Sequence, residues 1–199
     1  MYLPPHFEES RPEALEGLMR RHPLAALVTL GPEGLTADHI PLLTGPAGTL
    51  RGHVARANPL WRAADGAEVL AIFQGPGHYV SPGWYPTKRE TGKAVPTWNY
   101  LVVHAHGRLR VHDDPAWVRG LLDDLTAEHE AAFPAPWRPA DAPADFLEGR
   151  IAAVVGIEIE VTRLVGKWKL SQNQPERNRE GVVEGLRQAG AEDLAGRMG

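Results

Sequence analysis

The segment "TWNYLVVHAHGRLRVH", residues 97–112, constrains the fold more than any other stretch because two chemistries alternate along it. Leu101, Val103, Ala105, Leu109 and Val111 share one parity, while Trp98, Tyr100, His104, His106, Arg108 and Arg110 share the other. Successive side chains of an extended strand point to opposite faces, so the first set makes an apolar face for a core and the second a polar, aromatic face that wants a partner. The run is longer than the roughly five or six residues of a common strand. Gly107 marks the expected place for a bend or bulge.

The flanking sequence has the same period. "LAALVTL", "LTADHIPLL", "TLRGHVA" and "EVLAIFQG" are short apolar or alternating runs separated by "GPEG", "GPAG" and the proline-started turn "NPLWRAADG", and they read as antiparallel strands. "HYVSPGWYP" is expected to continue the sheet beyond Gly77, and "TKRETGK" to form an exposed loop. With 18 prolines and 21 glycines, the chain favours many short elements over a helical bundle. Helices enter at the margins. Ser10 and Glu13 form a capping-box pattern ahead of Leu15, Leu18 and Met19, and Asp113-Asp114-Pro115 opens an apolar stripe of Val118, Leu121, Leu122 and Leu125. A short helix is expected around "ADFLEGRI", then a strand "AVVGIEIEVTRL" and a terminal helix from Pro175. The expectation is a mainly β fold with flanking helices, a single domain over residues 1–199 with a helical C-terminal extension from about residue 175.

Composition narrows the chemistry. The chain has no cysteine, which excludes disulfides, thiol catalysis and cysteine-held metal clusters. "MYLPPHFEES" lacks a signal-peptide pattern, and no apolar run approaches the roughly 18 residues of a membrane span, so a cytoplasmic protein is expected. The net charge of -4 has no basic block, and no helix-turn-helix pattern stands out, so neither charge nor motif supports direct contact with nucleic acid. His104 and His106 share a strand face but are only two ligands, and "HEAAF" lacks the second histidine of a zinc helix, so no metal site is assigned. "GPGHYV" is not a dinucleotide fingerprint, "ETGKAV" is not a phosphate-binding P-loop, and Ser81 lacks a nucleophile elbow.

Three segments remain, each joining cationic or amide donors to flat apolar surface. "GHVARANPLW" offers His53, Arg56 and Asn58; "VPTWNY" offers Thr97, Trp98, Asn99 and Tyr100; "GKWKLSQN" offers Lys167, Lys169, Ser171, Gln172 and Asn173 around Trp168. Cations neutralise phosphate, tryptophan packs on rings and amides read a heteroatom edge, so the set suits a ligand with an anionic tail and a planar aromatic body. Any one of these residues could equally serve the fold, with Arg56 in a salt bridge, Trp98 in the core and "KLSQN" holding its own turn.

These segments also carry a resemblance. "HFEE", "HPLAALVT", "DHIPLL", "GHVARANPLW", "FQGP", "YVSPGWYP", "VPTWNY", "LTAEHE", "VVGIEIEVTRLVGKWKLSQN" and "GVVEGL" resemble the PaiB family of FMN-binding negative transcriptional regulators, over about residues 1–186. The resemblance implies a pyridoxamine 5′-phosphate oxidase-like split β-barrel, a homodimer with flavin sites shared between subunits, and FMN as the planar anionic ligand. It implies Arg56 as phosphate contact with His53 and Asn58 nearby, Trp98 and Asn99 along the flavin, and Lys169, Ser171 and Gln172 closing the pocket. Asp38 departs from the asparagine frequent before "HIP" in that family. A flavin-dependent reductase or oxidase acting on a small molecule is the competing expectation, without an evident general acid or base; His53, His104 or Tyr100 would serve if they face the ring.

Overall fold

The computed structural model describes residues 1–198. In chain order the elements are β1 (Glu8–Glu9), α1 (Pro12–Arg21), β2 (Leu24–Gly31), β3 (Gly34–Pro41), β4 (Leu43–Thr44), β5 (Thr49–Ala55), α2 (Leu60–Ala63) and β6 (Glu68–Val80). Then follow α3 (Pro86–Thr91), β7 (Thr97–His112), α4 (Pro115–Glu130), α5 (Ala144–Ala152), β8 (Val154–Lys169), α6 (Glu176–Gln188) and α7 (Glu192–Gly196). The sheet runs β3-β2-β6-β7-β8-β5-β4, with β1 pairing β8. Its ladders β2–β3, β2–β6, β4–β5 and β5–β8 are antiparallel.

Contacts divide the chain into two compact units, one of residues 1–22, 74–104 and 165–199, the other of residues 23–73 and 105–164. The long strands β6, β7 and β8 each contribute residues to both. In the second unit the core is built from Leu27, Leu50, Phe73, Leu109, Ile157 and Ile159, all essentially without exposure. Strand β5 approaches β3 there without a ladder: a Cβ on Gly52 would stand 2.9 Å from the Pro41 carbonyl and 3.2 Å from Ile40. Only glycine tolerates that approach. The sheet therefore stays open between its edges, as a split barrel does. Helix α4 and helix α5 meet through Val118, Leu147 and Ile151.

In the first unit Leu18, Leu101, Val103, Val80, Val182 and Leu186 are buried. Helix α6 lies against the turn at Trp84 through Gly181 and Gly185, one helical turn apart, where added Cβ atoms would strike the Trp84 carbonyl and the Trp84 ring.

The strand expectations hold in position. Strands β5 and β7 start and end where the alternation does, and Leu101, Val103, Ala105 and Leu109 are the buried parity of β7. Four details differ. Helix α1 begins at Pro12 with Arg11 as its N-cap, and Glu9 rather than Ser10 accepts from the Arg11 backbone N–H, so the capping box does not form. Residues 86–91 are helical, stopped by Gly92 in the left-handed region (φ 67°), where an exposed loop was expected. Strand β7 runs unbroken through Gly107; that glycine instead admits β8, since a Cβ would lie 2.6 Å from Ile159 Cγ2. Strand β8 continues through Gly166–Lys169, so both lysines of the polar cluster stand on the strand rather than after it.

Candidate functional site

Strand β5 and the turn after it place His53, Arg56 and Asn58 in the second unit. Arg56 ties the chain together: Nε donates to the Ala152 carbonyl at 2.7 Å, the two terminal nitrogens donate to Asp113 at 3.0 and 2.6 Å, and Nη2 also donates to the Val154 carbonyl at 3.1 Å. Four of the five guanidinium N–H groups are thereby engaged, leaving one on Nη1. Hydrogen bonding to Asp113 raises the Arg56 pKa, and the same bond lowers that of Asp113. The Arg56 carbonyl accepts from the Trp61 indole at 3.0 Å, and the Arg62 guanidinium lies 4.1 Å from that ring.

Asn58 accepts from the Leu60 N–H at 2.8 Å in the turn ahead of α2, and it donates to Asp38 Oδ1 at 2.7 Å. Both residues line a cavity of about 700 Å³ between the β2–β3 hairpin and α2, whose walls include Thr29, Thr36, Leu60 and Ala64. Thr29 and Thr36 share a hydroxyl–hydroxyl bond of 3.0 Å across the hairpin. That volume lies within the range of small-molecule and cofactor sites. His53 does not line this cavity. Its Nδ1 is buried without a hydrogen-bond partner, and burial pushes its pKa down.

The other five expected residues lie in the first unit. Asn99 is fully buried, and its amide exchanges bonds with the buried Ser171 hydroxyl: Nδ2 donates at 3.0 Å and Oδ1 accepts at 3.1 Å. Ser171 has φ of 61°, a left-handed conformation that few non-glycine residues adopt. The turn around it is closed by Gln172, whose Oε1 accepts from the Leu170 N–H at 2.7 Å and whose Nε2 donates to the Trp168 carbonyl at 2.6 Å. Asn99 and Ser171 thus engage each other, and Gln172 engages the local backbone. That turn ends β8 at Lys169, whose ammonium donates to the Thr97 hydroxyl and the Trp98 carbonyl. The Trp98 ring is exposed and meets Tyr79 edge-on at 6.4 Å. Burial first, and the neighbouring Lys167 second, push the Lys169 pKa down.

Sequence reasoning underweighted two residues. Lys167, on the same strand face as Lys169 by two-residue spacing, is only 8% exposed. Asp38 supplies a carboxylate to the cavity, and no arginine or lysine lines it. The signal for Lys167 was the alternation K-W-K itself, which puts Trp168 on the opposite face.

The second unit offers an apolar cavity of adequate volume edged by hydroxyl and amide groups, and the first unit separately offers an exposed tryptophan and lysines without an ion-pair partner among the described residues. The open antiparallel sheet with flanking helices is the fold of the flavin-binding split barrels. It is shared with the flavocytochrome Anf3 from Azotobacter vinelandii, at TM-score 0.65 and 13% identity over 87% of this chain and 75% of that one. A FAD and heme binding protein from Mycobacterium smegmatis matches at TM-score 0.64 and 20% identity, covering 89% and 80%. The chain belongs to the family described as "Putative FMN-binding domain", whose model matches residues 1–163. Among relatives, the protease synthase and sporulation protein PAI 2 of Bacillus subtilis is 31% identical, over 94% of this chain and 89% of that protein. An uncharacterised protein of Emericella nidulans is 33% identical, over 96% and 92%. FMN, the family's ligand, is the planar anionic cofactor expected from the residues.

Proposed function

We propose that this chain is a cytoplasmic, homodimeric FMN-binding protein with the negative regulatory role in transcription that its resemblance to the PaiB family implies. The observation that carries this reading is the match to the FMN-binding family over residues 1–163, which takes in β5, its following turn and β7. In the second unit the remaining Arg56 N–H and the Asn58 amide are assigned to the phosphate end and His53 to its neighbourhood. In the first unit Trp98 and Lys169 form the flavin wall, while Asn99, Ser171 and Gln172 set the turn that positions Lys169. When bound, FMN supplies the redox chemistry; the residues hold and orient it. The net charge of -4 supports regulation through partners or flavin state rather than through direct DNA contact.

The test is a titration of the purified protein with FMN, followed by flavin fluorescence quenching and visible absorbance. Saturable binding is expected, weakened at least tenfold by Arg56→Ala. Because Arg56 also anchors Asp113, the Asp113→Ala variant reports the structural share of that loss. Equal losses in both variants would remove Arg56 from the phosphate site, and a colourless protein that binds no added FMN would end the flavin reading.

A further inference from the structure

Two cations at the end of β8 have more donors than partners. Lys167 is a residue only 8% exposed, and its ammonium donates to a single acceptor, the Tyr2 carbonyl at 3.1 Å. Lys169 donates to two, the Thr97 hydroxyl and the Trp98 carbonyl. An ammonium has three N–H groups, so Lys167 keeps two and Lys169 one. Buried ammonium groups are ordinarily paired with an anion. Glu8, opposite Lys167 in the β1–β8 register, makes no ion pair with it, and Glu9 is turned to Arg11 at 2.6 Å. What surrounds the two ammoniums is aromatic: Nζ of Lys167 lies 5.5 Å from the Tyr100 ring and 5.8 Å from the Tyr2 ring, and Nζ of Lys169 lies 5.9 Å from Phe7. The Tyr2 ring is itself largely exposed, so the cover over Lys167 is the N-terminal arm rather than the core. Burial first, and the Lys167 charge second, depress the Lys169 pKa.

We infer that Lys167 and Lys169 form an oxyanion receptor for a small aromatic ligand, its carboxylate or phosphate taking the free N–H groups of both lysines and its ring packing among Tyr2, Phe7 and Tyr100. The site shares Lys169 with the proposed flavin wall, while Lys167, Tyr2, Phe7 and Tyr100 belong to it alone. It lies within one unit, and both lysines fall after residue 163, where the family match ends. Three free donors suit the two oxygens of a carboxylate, or three of a phosphate, and the π faces already held by the ammoniums suit a flat body.

Isothermal titration of the full chain with benzoate, alone and after loading with FMN, tests it, with benzamide as the uncharged control and phenyl phosphate as the second anion. Benzoate or phenyl phosphate is expected to bind and benzamide not to. Lys167→Met is expected to weaken the anions at least tenfold with FMN affinity unchanged, Lys169→Met to weaken both the anions and FMN, and Lys88→Met, on the exposed face of α3, to have no effect. Lys167→Arg, which keeps the charge, restores binding and guards against a folding defect. Equal binding of benzamide, or anion binding indifferent to Lys167→Met, overturns the receptor. A parallel loss of FMN affinity in Lys167→Met also overturns it, because that lysine then serves the flavin. Loss of FMN binding alone, with benzoate binding intact, counts against the flavin reading and leaves the receptor standing.

Discussion

A single buried pair holds the turn at the end of β8. Asn99 is fully buried and Ser171 nearly so, and each satisfies the other while Ser171 stays in a left-handed conformation. Asn99→Ala strands the Ser171 hydroxyl and should cost about 1–3 kcal/mol, measured by urea denaturation. Ser171→Gly relieves the backbone but loses the same bond, and its smaller loss would separate strain from hydrogen bonding. His53 gives a pH prediction. Burial lowers its pKa below the ordinary 6.5, so near that value the unfolded chain binds protons more readily than the folded one, and stability falls as the medium is acidified through and below it. Acid titration of the urea midpoint should show that fall, and His53→Gln should flatten it. At this scale the sequence was half legible. Residue types and spacing pointed to Lys169, Ser171 and Gln172 together. Which of them is taken up by the backbone or by another side chain depended on a φ angle and a buried amide partner, which no local pattern encodes.

Elements were the most readable level, because each has its own period. Alternation located β5 and β7 to the residue, and Asp114 with Pro115 located the start of α4. Where reading failed, a distant partner decided. Strand β8 runs on to Lys169 because β1 pairs with Glu8 opposite Lys167 and Glu9 opposite Gly166, and helix α1 starts at Pro12 because Glu9 takes the Arg11 N–H. Nothing within "LVGKWK" announces either. The docking of α6 on Trp84 is likewise invisible from its own helical pattern, yet it depends on two glycines. Gly181→Ala and Gly185→Ala each improve helix propensity by about 1 kcal/mol in isolation. In the protein each should instead destabilise by about 1–3 kcal/mol through overpacking, and the comparison of folded chain with an isolated α6 peptide by circular dichroism checks the reversal of sign.

For the molecule as a whole, the mainly β fold and the cofactor class were legible because the evidence for them is spread along the chain: short strands between glycines and prolines, and three separated donor segments. The division of the eight expected site residues between two compact units was not, since contact density is a property of the folded chain. Light scattering during size exclusion should give twice the 21.8 kDa chain mass if the proposed homodimer forms. A mobility-shift assay at low salt should show no retention of DNA by the protein alone; retention that weakens steeply with salt would restore direct operator binding. The pairing of Glu8 and Glu9 with residues 166 and 167 has a consequence for synthesis. A ribosome releases β1 long before its mate exists, so the segment that carries it must wait, unpaired, until β8 emerges. Nascent chains halted before residue 166 should therefore remain open to proteases at residues 2–11, the segment that pairing with β8 fastens down.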